Sequence, residues 1–158
     1  MSEKFSPEFQ GGVQLQSALM GLTLAFRGRY GDEALKVAQA FSEQMGTMIG
    51  NQIKERAGIN GLGIRDVEKL FHAWLDPILD PRKVVTSVEG DSLSVIRQSP
   101  TMCPAMIVAK QMNLPLKTVC DTVALQMFRG IARSVNPNAH HENVEMSHAK
   151  CVDKIMIR

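Results

Sequence analysis

Apolar residues recur at helical intervals through the first half of the chain. Over residues 10–27 they stand at Val13, Leu15, Leu19, Leu22 and Phe26, which predicts a helix with those side chains inward and Gly21 as a weak point. A clearer helix is predicted from Asp32, a capping residue followed by Glu33 at the positive end of the dipole, to about Arg56. Its stripe is Leu35, Ala38, Phe41, Met45, Met48, Ile49 and Ile53. Gly46 and Gly50 interrupt it: either another backbone approaches closely there, or a well-packed helix tolerates both. A third helix is predicted over residues 64–75, with Val67, Leu70, Phe71 and Trp74 inward, before Asp76-Pro77 and Asp80-Pro81 break the chain.

The period then changes to two. Val84, Thr86 and Val88 alternate, Glu89-Gly90-Asp91 can turn, and Leu93 and Val95 alternate again, as in a β-hairpin. Helices resume at Cys103-Pro104 and after Leu114-Pro115. The second carries Val119, Val123, Met127, Ile131 and Val135 on one side, with Cys120, Ala124 and Phe128 beside them, and Asn136-Pro137-Asn138 ends it. Two extended segments follow, near 140–146 and 151–157. The expected fold is therefore a single α+β domain over 1–158. Its N-terminal helices (about 10–78) pack on a small antiparallel sheet belonging to a β-β-α-α-β-β part (about 83–158).

Composition narrows the function classes. The 158 residues are 44% hydrophobic and 22% charged, enough to bury a core and unlike a disordered chain. The net charge is +2 with no basic block, so no nucleic-acid partner is expected. The longest apolar stretch, 18–26, contains Gly21 and Thr23 and falls far short of the ~20 residues that span a bilayer. Nor does a cationic segment lead into an apolar one at the start, so neither membrane nor secretion is expected. Three cysteines, an odd number, fit reduced thiols in the cytoplasm better than a disulfide scaffold. The glycine-bearing helix and the ten methionines would suit a homo-oligomer or a subunit of a complex.

Phosphate loops, dinucleotide fingerprints, His-Glu-x-x-His and Gly-x-Ser-x-Gly are all missing. The candidate chemistry lies in the cysteines. Pro104 suits a first helical position, which places Cys103 at the N-cap, where free amides and the dipole favour a thiolate. Cys103 is thus either a nucleophile or a small buried hydrophobe at a tight junction. Cys120 borders an apolar stripe, and Cys151 shares one strand face with Asp153, Ile155 and Ile157. By itself Cys120 reads as core packing, and packing is the alternative for Cys151 too. Together Cys103, Cys120 and Cys151 could hold zinc, with His140, His141 or His148 as a fourth ligand, or an iron–sulfur cluster. His148 is the candidate general base beside Cys103. His72 reads as structural. Arg27 and Tyr30 could bind a substrate carboxylate.

The motifs Tyr30-Gly31-Asp32-Glu33-Ala34, Cys103-Pro104, Asn113-Leu114-Pro115, Cys120-Asp121, Asn136-Pro137 and Cys151 run from Tyr30 to the end of the chain. In this order the chain resembles the L-2-amino-thiazoline-4-carboxylic acid hydrolase-like family. The resemblance implies a hydrolase acting on a cyclic C–N bond of an amidine or thiazoline type, with Cys103, Cys120 and Cys151 as signature positions. One departure stands beside the implied site: His148-Ala149-Lys150 replaces the Gly-Asp turn that the family tends to show before the last cysteine. The β-β-α-α-β-β order is also similar to that of 4-vinyl-reductase-type domains, which bind hydrophobic small molecules and sometimes zinc. That likeness implies a non-catalytic binding module as the alternative.

Overall fold

Ser6 starts the first helix earlier than the apolar pattern suggests. Its hydroxyl accepts from the Phe9 amide at 3.0 Å and donates to the Pro77 carbonyl at 2.9 Å. Pro7 then fills a first-turn position that needs no N–H. The computed structural model describes residues 5–98, 103–147 and 149–158, and in it α1 runs Pro7–Tyr30. The helices α2 (Glu33–Arg56) and α3 (Ile64–Leu75) follow, then β1 (Val84–Glu89) and β2 (Ser92–Gln98), joined at Gly90 with φ +57. After α4 (Pro104–Gln111), one long helix comprises α5 (Leu116–Val119), a wide π turn (Cys120–Ala124) and α6 (Leu125–Val135). Last come β3 (Ala139–Met146) and β4 (Lys150–Ile157).

The four strands form one antiparallel sheet in the order β1-β2-β4-β3. Leu93, Val95, Ala139 and Ile155 point from it into a core shared with Val67, Leu70 and Phe71 of α3 and Phe128, Ile131 and Val135 of α6. A second cluster joins Met20 of α1 to Ala105 and Val108 of α4 and to Val119 and Val123. The fold is α+β as expected, with a refinement. Of the N-terminal helices, α3 is the one that covers the sheet, while α1 and α2 pack mainly on α4–α6.

Two helix faces differ from the spacing-based reading. On α1 the buried residues are Phe9, Gln16, Met20 and Thr23, whereas Leu22 and Phe26 are exposed. Apolar side chains lie on several sides of α1, so the docking of α4 and the π turn selects the face. On α2 the buried residues are Ser42, Gly46 and Gly50, and Phe41 and Met48 are exposed. The cause is the close approach of α6. A Cβ on Gly46 would stand 2.3 Å from the Met127 carbonyl oxygen, and one on Gly130 2.0 Å from that of Glu43. Thr47 Oγ1 donates across this seam to the Gly130 carbonyl at 3.2 Å. Gly46 and Gly50 therefore mark a contact inside the chain, and they no longer argue for an oligomer.

The π turn has its own logic. The Leu125 amide bonds back to the Cys120 carbonyl, one residue further than an α-helix reaches. The carbonyl of Asp121 is taken instead by Gln126 Nε2 at 2.8 Å and by Gln39 Nε2 at 3.3 Å. Val119, Val123, Met127, Ile131 and Val135 recur every four residues, more widely than 3.6. The wide turn absorbs part of that drift, and all five are buried.

Candidate functional site

At one end of the sheet the helix-facing surface turns polar. Arg97 on β2 lies opposite Cys151 on β4 and diagonal to Asp153, two residues further along the same face. Asp153 has no solvent exposure. Its carboxylate accepts from an Arg97 NH2 group, lies 2.9 Å from His141 Nε2, and accepts from Asn143 Nδ2 at 3.1 Å. Burial alone would raise the Asp153 carboxyl, but Arg97, His141 and Asn143 outweigh it and hold it below the usual carboxylate range. Burial likewise works against the Arg97 charge, and Asp153 overcomes it. The guanidinium also lies 4.4 Å from the centroid of the Phe128 ring, which stacks on His141 at 5.7 Å and meets Trp74 edge-on at 4.9 Å.

Behind this cluster is a cavity of about 190 Å³. Its walls come from the N-terminal half of α1, the end of α3 and the turn after it, the end of β2, the start of α4, and the junction of the π turn with α6. Leu15, Ile49, Trp74, Leu79, Met127 and Phe128 make it apolar. Glu8 and Gly11, both exposed, stand at its mouth. Two buried side-chain atoms of residues in this wall lack hydrogen-bond partners among the described residues. Gln16 is 9% exposed, and its Oε1 accepts no hydrogen bond. Arg97 Nε is likewise buried with no acceptor. Leaving a buried donor or acceptor unpaired costs about 1–3 kcal/mol.

Cys103 is the N-cap of α4, as its Pro104 neighbour implied, and its carbonyl accepts from the Met106 amide at 3.1 Å. The thiol makes no capping bond and is half-buried in the cavity wall. Cys120 and Cys151 are buried, and Arg97 lies within electrostatic reach of all three thiols. Burial pushes the Cys120 thiol far up and the Cys151 thiol up, with Arg97 opposing in both. The sequence-predicted trio is thus brought within reach of one cation. Among the described residues no three His, Cys, Asp or Glu side chains are grouped to hold a metal ion. The cation that acts on all three thiols is Arg97.

The other candidates lie elsewhere. Arg27 pairs with Asp32 at 2.9 Å and Tyr30 is exposed at the far end of α1, roughly 16 Å or more along the axis from Gln16. Neither lines the cavity. His148 lies outside the described residues. His140 is exposed, whereas His141, offered with it as a possible zinc ligand, is 4% exposed and hydrogen-bonded to Asp153. His72 is structural: its Nε2 lies 3.0 Å from Thr86 Oγ1, tying α3 to β1. Sequence reasoning missed Arg97, Gln16 and Asn143, and offered His141 only as one of three alternative zinc ligands. A signal existed for Arg97. It is in phase with Leu93 and Val95, and Asp153 on an apolar strand face demands a cation.

Compared with protein-family models, curated proteins and solved structures, the chain matches none. Among the described residues no helix is long and apolar enough to cross a membrane.

Proposed function

We propose that this protein binds a small, largely apolar molecule in the cavity between α1, α3, α4 and the π turn. One observation carries the reading: a largely apolar cavity of about 190 Å³ is lined by Leu15, Ile49, Trp74, Leu79, Met127 and Phe128. A cavity of roughly 150 Å³ in an apolar core accommodates benzene, so one ring with a short substituent fits this volume. Three free thiols agree with a reducing compartment, and the cytoplasm is the proposed location. The test is thermal unfolding with toluene. Binding raises the unfolding temperature with ligand concentration, because only the folded state has the cavity. An unfolding temperature unmoved by near-saturating toluene would reject the reading.

Cys103 in the same wall favours a second reading, a hydrolase of cyclic C–N bonds as the family resemblance implies. The Cys103 sulfur would add to the C=N carbon of the ring, with the thiol proton passing to the ring nitrogen through His148 as the expected carrier. The ring C–N bond then breaks with that nitrogen leaving as the amine, and water adds to the same carbon and displaces the Cys103 thiol. Cys103→Ala separates the two readings. Turnover of a thiazoline would disappear in that variant while toluene binding stays.

A further inference from the structure

No residue between Thr23 and Ser42 is buried, although α1 and α2 both run through that stretch to the turn at Gly31 and Asp32. Residues 25–33 are exposed without a break. The last turns of α1 and the first turns of α2 thus form a hairpin tip with little beneath it. Its outer face is nonetheless apolar. Leu22, Phe26 and Tyr30 follow at four-residue steps on α1, and Val37, Phe41 and Met48 fall on one side of α2. All six are about half exposed or more, and all but Met48 line one open groove between the two helices.

The area is that of half an interface. An aromatic side chain presents about 150–250 Å², so three half-exposed rings and three exposed aliphatic or thioether chains leave about 600 Å² of apolar surface in water. That is at the upper end of the largest patch on a typical monomer, roughly 300–600 Å². Two copies face to face would remove about 1,200 Å², the lower bound for a specific, stable interface, before any rim contact is counted.

Charge selects the partner. The rim is already compensated within the hairpin: Arg27 pairs with Asp32 at 2.9 Å and Lys36 with Glu33 at 2.6 Å. Arg29 lies 5.6 Å from the centroid of the Tyr30 ring. An anionic membrane surface would call for an excess of Lys and Arg around the apolar face. A two-fold dimer instead sets each patch against itself, which a rim of balanced charge permits without like-charge repulsion.

We infer that this face holds a second copy of the chain, in a two-fold dimer whose α1–α2 hairpins pack together as four helices. The Phe26 and Phe41 rings of one copy close the groove of the other. The contact is separate from the Gly46–Gly50 seam, which lies inside each chain.

Sedimentation velocity over a concentration series tests the dimer. The wild-type chain should be dimeric at about 100 µM and dissociate on dilution, as expected for an interface at the small end of the range. Phe26→Glu and Phe41→Glu each place a charge in the apolar contact and should weaken the dimer about a hundredfold or more. Their circular dichroism, and their unfolding at dilute protein, should match the wild type, because neither side chain belongs to the core. Val85→Glu, at an exposed apolar residue of β1 outside the groove, should leave the dimer unchanged. A wild-type chain that stays monomeric at about 100 µM overturns the inference. So does a dimer that survives both groove variants, or one that Val85→Glu disrupts equally. A monomeric chain that floats with phosphatidylcholine–phosphatidylserine vesicles, and loses this in Phe26→Glu, would assign the face to a membrane surface and overturn it too.

Discussion

Along α1 the N-terminal half walls a cavity and the C-terminal half faces solvent, although both halves carry apolar side chains. Near Gln16 the helix is roofed by α3, α4 and the π turn, and the cavity is lined by Gln16, Arg97 and Cys103 beside its apolar side chains. Further along, Leu22, Phe26 and Tyr30 form an open groove with Val37 and Phe41 of α2, all five at least 49% exposed. The groove has apolar area but little polar chemistry. The cavity has less volume and more chemistry, and that combination distinguishes a ligand site from surface.

The largest expected contrast comes from the polar cluster. Asp153→Asn leaves Arg97 buried without its counter-charge and should lower stability by about 3–5 kcal/mol in denaturant unfolding. Phe26→Ser in the groove should stay within about 0.5 kcal/mol. Equal losses would erase the distinction between the two regions.

The seam between α2 and α6 comes next. Gly130→Ala drives a methyl into the Glu43 carbonyl and should cost about 1–3 kcal/mol. Because α6 carries Phe128 and Met127, the same change should weaken toluene binding.

Acid and alkali sharpen the comparison further. Asp153 titrates below its ordinary value in the fold, so its contribution is complete above about pH 4 and is lost as the pH falls through the lowered value. Asp153→Asn should flatten that limb of the unfolding temperature. Cys120 and Cys151 are raised, so their neutral thiols favour the fold below about pH 8.5, and stability declines as the pH climbs above it. Changing both to Ser should remove the alkaline decline.

The smallest effect concerns thiol access. Cys103 is half-buried in the cavity wall, while Cys120 and Cys151 are each 6% exposed. A thiol reagent should modify Cys103 first and leave the other two until unfolding, and bound toluene should slow the first reaction. Uniform modification of all three would contradict the burial pattern.

Much of the fold could be read from alternation and punctuation. The hairpin at Gly90, the Cys103 N-cap, the stop at Asn136 and the shared face of Cys151, Asp153 and Ile155 are local features. Helix faces were less legible, because α2 buries Ser42, Gly46 and Gly50 against another backbone while larger neighbours such as Phe41 stay outside. The four-residue recurrence from Val119 to Val135 held the trace of the π turn, but period alone does not place it. The site was half visible. The cysteines announce themselves by type, whereas Gln16 becomes notable only once its surroundings leave Oε1 unpaired.

Methyl NMR of the folded chain titrated with toluene tests the central claim most directly. Resonances of Leu15, Ile49, Leu79 and Met127 should shift in a saturable way, while those of Leu22 and Val37 stay in place. Saturable shifts confined to Leu22 and Val37, or no saturable shift at Leu15, Ile49, Leu79 or Met127, would contradict the assignment of the cavity as the ligand site.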